Sequence, residues 1–174
     1  MDMLEFEGEA LYFDEALEPE TEQCIEKTAQ NYGNKNAESL LLRAYFLEPE
    51  HPMVLVAVYR YYYYQHRYAD ALKVAERVLR IFSSRLGLPT NWQDLNEQHV
   101  EKAVNESVTE LRFYLLALKG AGYLDMRLEN YQNAIDRLQK IVDIDSKDRL
   151  SVSSLLQIAQ DEINRQAGIY RLRF

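Results

Sequence analysis

The sequence predicts an all-α fold, an α-α superhelix of paired helices, on three observations. Gly and Pro are few, 6 and 4 in 174 residues, and the long stretches free of both favour helices. Strand-type alternation of apolar and polar residues is hard to find. Related segments also recur: Arg67-Tyr68-Ala69-Asp70-Ala71-Leu72 is echoed by Asn130-Tyr131-Gln132-Asn133-Ala134-Ile135. A weaker echo is Asn34-Lys35-Asn36-Ala37-Glu38, followed by Leu41, Ala44 and Pro49.

In each echo a small residue stands where a second helix begins, and apolar residues continue at helical spacing. Ala75, Val78 and Leu79 follow Ala71, and Leu138, Ile141 and Val142 follow Ala134. A first helix precedes each, outlined by Leu55, Val58, Tyr59 and Tyr62 in one case and by Leu118, Ala121, Gly122 and Asp125 in the other. Ala37 and Ala71 are 34 positions apart (71 − 37). In this period and in the placing of its small residues the chain resembles the tetratricopeptide repeat. The resemblance implies a helix A and a helix B per unit, small residues where they cross and a Pro that closes helix B.

Three repeats follow, at 18–51, 52–85 and 115–148. None has the helix-A Trp of the family, and only the first keeps the closing Pro, as Pro49; Ser83 and Ser146 stand in the other two. Residues 86–114 are an insertion: Gly87, Pro89, Thr90 and Asn91 mark a loop and a helix start. From Trp92 the apolar positions run through Leu95, Val100, Ala103, Val108 and Leu111 into the third repeat without a breaker. That pattern predicts one long helix or two nearly joined, covering an otherwise exposed edge in preference to walling a groove. Val152, Leu155, Leu156, Ala159 and Ile163 outline a capping helix over 149–168, ending near Gly168, and 169–174 form a short basic–aromatic tail.

Charge is unevenly placed. Residues 1–26 carry ten carboxylates and no Lys or Arg, so the remaining chain sums to +2 (−8 minus −10). Without a dominant basic face, nucleic acid is not an expected partner. No apolar run approaches the roughly 20 residues that span a bilayer, so a membrane is not expected either. The acidic start does not have the pattern of a signal peptide, and the single Cys24 cannot form an internal disulfide; both point to the cytoplasm. The whole chain reads as one domain with an acidic N-terminal arm at 1–17. Residues 8–18 are expected to form a first helix that packs Leu11 and Leu17 inward; the rival reading docks the arm on the binding face.

Candidates for catalysis are poor. His51, His66 and His99 lie in different elements with no metal-ligand spacing. Gly120-Ala121-Gly122 follows a helical run, not a strand, and no Gly-Lys-Ser/Thr comes after it. No enzyme activity, cofactor or metal is expected.

The 13 tyrosines are more informative, four of them consecutive at Tyr61–Tyr64. In the repeat register Tyr59 and Tyr62 face helix B, while Arg60, Tyr63 and Tyr64 face a concave groove. The matching positions of the third repeat are Leu116, Lys119, Tyr123, Met126 and Arg127, and those of the first are Glu22, Glu26, Ala29 and Gln30. Tyr with Arg on one face is the composition of a binding hot spot. The expected site is therefore Arg60, Tyr63, Tyr64, Lys119, Tyr123, Met126 and Arg127, holding a peptide or helix of another protein.

Family members that clamp C-terminal carboxylates need a Lys/Asn set, which Glu22, Glu26, Arg60, Lys119 and Tyr123 match only at Lys119. That function is excluded. Two alternatives are kept: a homodimer formed through the Tyr-rich surface, and a secretion-type chaperone, since the class II chaperones of type III secretion resemble the chain in length, acidity and repeat count.

Overall fold

The computed structural model describes residues 13, 15–32, 34–145 and 147–168, which are all-α. The helices are α1 (Pro19–Gln30), α2 (Lys35–Leu47), α3 (Pro52–Tyr64), α4 (Tyr68–Arg85), α5 (Glu97–Glu106), α6 (Val108–Arg127), α7 (Tyr131–Ile144) and α8 (Ser153–Gln166), with a 3-10 turn at Trp92–Asp94. α1 pairs with α2, α3 with α4 and α6 with α7; α4 packs on α6, and α7 on α8.

Local chemistry sets the boundaries. α1 and α3 open on Pro at their first turn, where a missing N–H costs nothing. His51 Nδ1 accepts from Met53 N–H at 3.2 Å, and Asn34 Oδ1 accepts from Asn36 N–H at 3.2 Å.

The second and third helix pairs share their turn down to individual bonds. His66 (φ 57°) and Glu129 (φ 63°) are left-handed and 63 residues apart (129 − 66). Arg67 N–H donates to Tyr62 O at 2.9 Å, as Asn130 N–H donates to Asp125 O at 2.8 Å. This is the six-to-one bond that closes a helix on a left-handed residue.

Small residues occupy the crossings as expected. Ala37, Ala71, Ala75 and Ala134 are all fully buried. A Cβ on Gly122 would meet Leu138 Cγ and Cδ2 at 2.9 Å, so α6 and α7 touch there.

The insertion takes the two-helix form. α5 ends at Glu106, and Ser107 Oγ accepts from Glu110 N–H at 3.2 Å to start α6. The expected boundary at 114/115 therefore falls inside α6, which begins at Val108. Leu88, Leu95 and Ala103 are buried, Arg137 of α7 lies over the Trp92 ring, and Lys140 Nζ donates to Leu95 O at 3.1 Å. The inserted segment thus covers the α7 side of the core.

Ahead of α8, Asp148 accepts from Val152 N–H at 2.7 Å and Ser153 N–H at 3.3 Å. These backbone donors hold its carboxyl below the usual range.

The expected helix over 8–18 is not present at residues 15–18, and Leu11 lies outside the described residues. Pro19 holds Glu18 extended (φ −61°, ψ 140°). Leu17 and Phe13 nevertheless pack on the core. The tail at 169–174 lies outside the described residues, and among those described no helix is long and apolar enough to cross a membrane.

Candidate partner-binding site

Four of the seven expected residues meet at the C-terminal ends of α3 and α6. Tyr63 is the hub. Its ring stacks on Tyr59 at 6.2 Å and lies 5.7 Å from Tyr64, 5.8 Å from Tyr68 and 6.2 Å from Tyr123. The Tyr63 and Tyr123 hydroxyls are 3.4 Å apart. Arg127 Nη1 donates to Tyr123 Oη at 3.2 Å while its guanidinium covers the Tyr68 ring at 4.5 Å.

The arrangement follows from helix geometry. Tyr59 and Tyr63 are one turn apart on α3, as Tyr123 and Arg127 are on α6. The shared left-handed turn then brings Tyr68, the first residue of α4, back over the end of α3.

Arg60 is half-buried, one turn before the exposed Tyr64 on the same side of α3. The other two expected residues sit differently. Met126 packs against the core. Lys119 is only 1% exposed and donates to Leu150 O at 2.6 Å. It ties α6 to the loop before α8 and is not an open groove cation: the ammonium reaches a carbonyl that replaces water, which a buried charge requires.

The structure adds residues that sequence reasoning missed. Tyr32, between α1 and α2, lies 5.8 Å from Tyr61 and 6.3 Å from Tyr64, so the aromatic surface extends into the first pair. Arg67 covers the Tyr62 ring at 4.4 Å and pairs with Glu38 at 2.6 Å. A Tyr within a few residues after each helix A (Tyr32, Tyr68 and Tyr131) was the available signal for Tyr32; nothing local could show its contact with Tyr64.

Burial raises the phenol pKa values of Tyr32, Tyr61 and Tyr62. These hydroxyls stay neutral at physiological pH, able both to donate and to accept a hydrogen bond. The hydrogen bond to Tyr123 holds the Arg127 guanidinium above its usual range. Such a surface offers ring faces, hydroxyls and a fixed cation, which is recognition chemistry. Among the described residues no group of three or more His, Cys, Asp or Glu could hold a metal ion. An open hollow of about 350 Å³ lies elsewhere, between the α6–α7 turn and α8, and its lining from Glu129, Asn130, Gln132 and Asn133 is mostly polar.

The chain is 43% identical over 158 residues to a protein of Azotobacter chroococcum mcd 1 described as an uncharacterized 19.8 kDa protein in the nifW 5' region. The match covers 91% of this chain and 88% of that protein. No family model matches the sequence. No solved structure matches it.

Proposed function

The chain belongs to the family of the 19.8 kDa Azotobacter protein, and we propose that it is a non-catalytic tetratricopeptide-type module that holds a partner protein's peptide or helix against the Tyr–Arg face of α3 and α6. The observation that carries this reading is the Tyr63–Tyr123–Arg127 constellation, in which side chains from two helix pairs form one surface. Such rings present large, rigid contact area at low entropic cost. The turn bonds repeated at 63-residue spacing support the repeat assignment. The reading also places the protein in the cytoplasm, where the buried, unpaired Cys24 is at home.

Tyr64 and Arg127 are better probes than Tyr63, which also stacks on the fully buried Tyr59. With a partner captured from the native cell and then purified, Tyr64→Ala and Arg127→Ala should each weaken binding by about 1–2 kcal/mol. Their melting curves should match the parent's. Calorimetry showing both variants with parental affinity would remove this face from the partner site.

One observation favours self-assembly as a second reading. α2 exposes Phe46 (84%), Leu42 (44%) and Leu47 (40%) in its C-terminal half, and an apolar strip left open among the described residues suits a second copy. Light scattering decides it: a dimer that Phe46→Glu dissociates supports assembly, and a monomer at all concentrations excludes it.

A further inference from the structure

The course of the chain just before α1 bears on what occupies the Tyr–Arg face. Glu18 N–H donates to Glu48 at 3.1 Å, Glu15 O lies 3.1 Å from His51 Nε2, and Glu15 pairs with Arg85 at 2.6 Å. Phe13 then seats its ring edge-on against Phe113, 5.2 Å away. Read backwards from α1, the chain crosses from the end of α2, past α3 and α4, to the N-terminal half of α6. Phe113, Leu116, Tyr123 and Arg127 follow at steps of three, seven and four, so they share one face of α6. The chain at Phe13 thus lies against the same helix face that carries the aromatic site.

Reach and charge both favour that face. Phe113 to Arg127 is about 21 Å along a helix at roughly 1.5 Å per residue, and twelve extended residues span up to about 40 Å. Residues 1–12 carry Asp2, Glu5, Glu7 and Glu9 and no base, interleaved with Leu4, Phe6, Leu11 and Tyr12. On the receiving side, Arg43, Arg67, Arg85, Arg137 and Arg165 are each paired with a carboxylate. Arg60 and Arg127 form no ion pair among the described residues; Arg127 covers the Tyr68 ring, and Arg60 stands one helical turn before the exposed Tyr64.

We propose that the face between Arg60 and Arg127 is a site for acidic, aromatic-bearing peptide, and that its resident occupant is this chain's own residues 1–12. The proposal rests on the partner-binding reading and adds the regulation of that site: an incoming partner must displace the arm, and must itself be acidic. Tethering holds the arm at roughly millimolar effective concentration, enough to fill even a weak site.

The test uses the full chain carrying a nitroxide at Met3→Cys in a Cys24→Ala background. Amide signals of residues 60–64 and 123–127 should broaden, and the broadening should be lost in Arg60→Glu/Arg127→Glu. The control Arg80→Glu, on an exposed position of α4, should retain it, and added salt should weaken it. Unbroadened signals at both segments overturn the proposal. So does broadening that passes to a second, isotope-labelled chain lacking the nitroxide, which would put the arm on another copy. No partner enters this experiment, so its failure leaves the binding reading standing; parental affinity in Tyr64→Ala and Arg127→Ala removes that reading without moving the nitroxide result.

Discussion

Asp125 and Arg137 meet at 2.9 Å inside the crossing of α6 and α7, with side-chain exposures of 2% and 9%. Asn130 and Glu76 complete the cluster, and the Trp92 ring lies 5.3 Å from the guanidinium. Burial pushes the Asp125 carboxyl above its ordinary value of 3.8, and Arg137 and Asn130 pull it partly back. Replacing Arg137 alone, as in Arg137→Met, strands that carboxylate and should cost about 3–5 kcal/mol. The double replacement Asp125→Leu/Arg137→Met should recover most of the loss, since Glu76 is half exposed. A pH series supplies the sign. With Arg137 gone the folded carboxyl titrates higher still, so the native state binds a proton that the unfolded chain has released. Stability of the single variant therefore falls as pH rises above 3.8 through the raised folded value, and its deficit shrinks on acidification. Urea melts that show an equal deficit at pH 7 and pH 4.5 would contradict this account. Asp125 was legible as a helix position and not as half of a buried pair, because its partner lies twelve residues on, across a turn. Lys119 shows the same limit: spacing put it on the binding face, but its carbonyl partner is 31 residues away.

Small residues govern the helix crossings. Helix periodicity and the repeated Ala positions made the pairing of α3 with α4 and of α6 with α7 legible, because close crossings tolerate few side chains. Gly122→Ala should gain about 1 kcal/mol of helix propensity and lose about 1–3 kcal/mol to overpacking against Leu138. Leu138 is fully buried and cannot yield, so the net change is a loss. Ala71→Leu at the α3–α4 crossing should lose about 1–3 kcal/mol with no such offset. A variant of either kind that melts with the parent would mean that the crossing is looser than the contacts show. The break between α5 and α6 was also written in the sequence, as Ser107-Val108-Thr109-Glu110, a Ser followed three residues on by Glu. Apolar periodicity runs across that break without interruption, which is why hydrophobic spacing alone left one helix or two equally open.

Across the whole molecule, the stretch before α1 separates into two parts with different consequences. Phe13 and residues 15–18 act as a strap: Phe13 covers Phe113, which is fully buried and also packs edge-on against Phe82 at 4.9 Å, and Glu15 joins Arg85, itself 3.3 Å from Glu110. With the Glu18 N–H bond to Glu48 at the end of α2, these contacts link elements from all three helix pairs, although the strap is not the capping helix that its composition suggested. Residues 1–12 carry acidic charge and rings, and under the proposal they serve the binding face and not that linkage. Two truncations should therefore diverge. Removing residues 1–17 uncovers Phe113 and strips Arg85 of one of its carboxylates; burial of a Phe side chain is worth about 1.5–3 kcal/mol, so this protein should melt several degrees earlier. Removing residues 1–12 keeps Phe13 and should leave the stability within about 0.5 kcal/mol of the parent, the ordinary effect of a surface change. The shorter truncation should also bind an acidic, aromatic-bearing partner more tightly, because the competing segment is gone. Differential scanning calorimetry of both proteins, with Phe13→Ala in the full chain as a third, separates the contributions. If the two truncations melt together at the parental temperature, Phe13 and Glu15 contribute nothing to the fold; if both melt early by the same amount, residues 1–12 are structural as well.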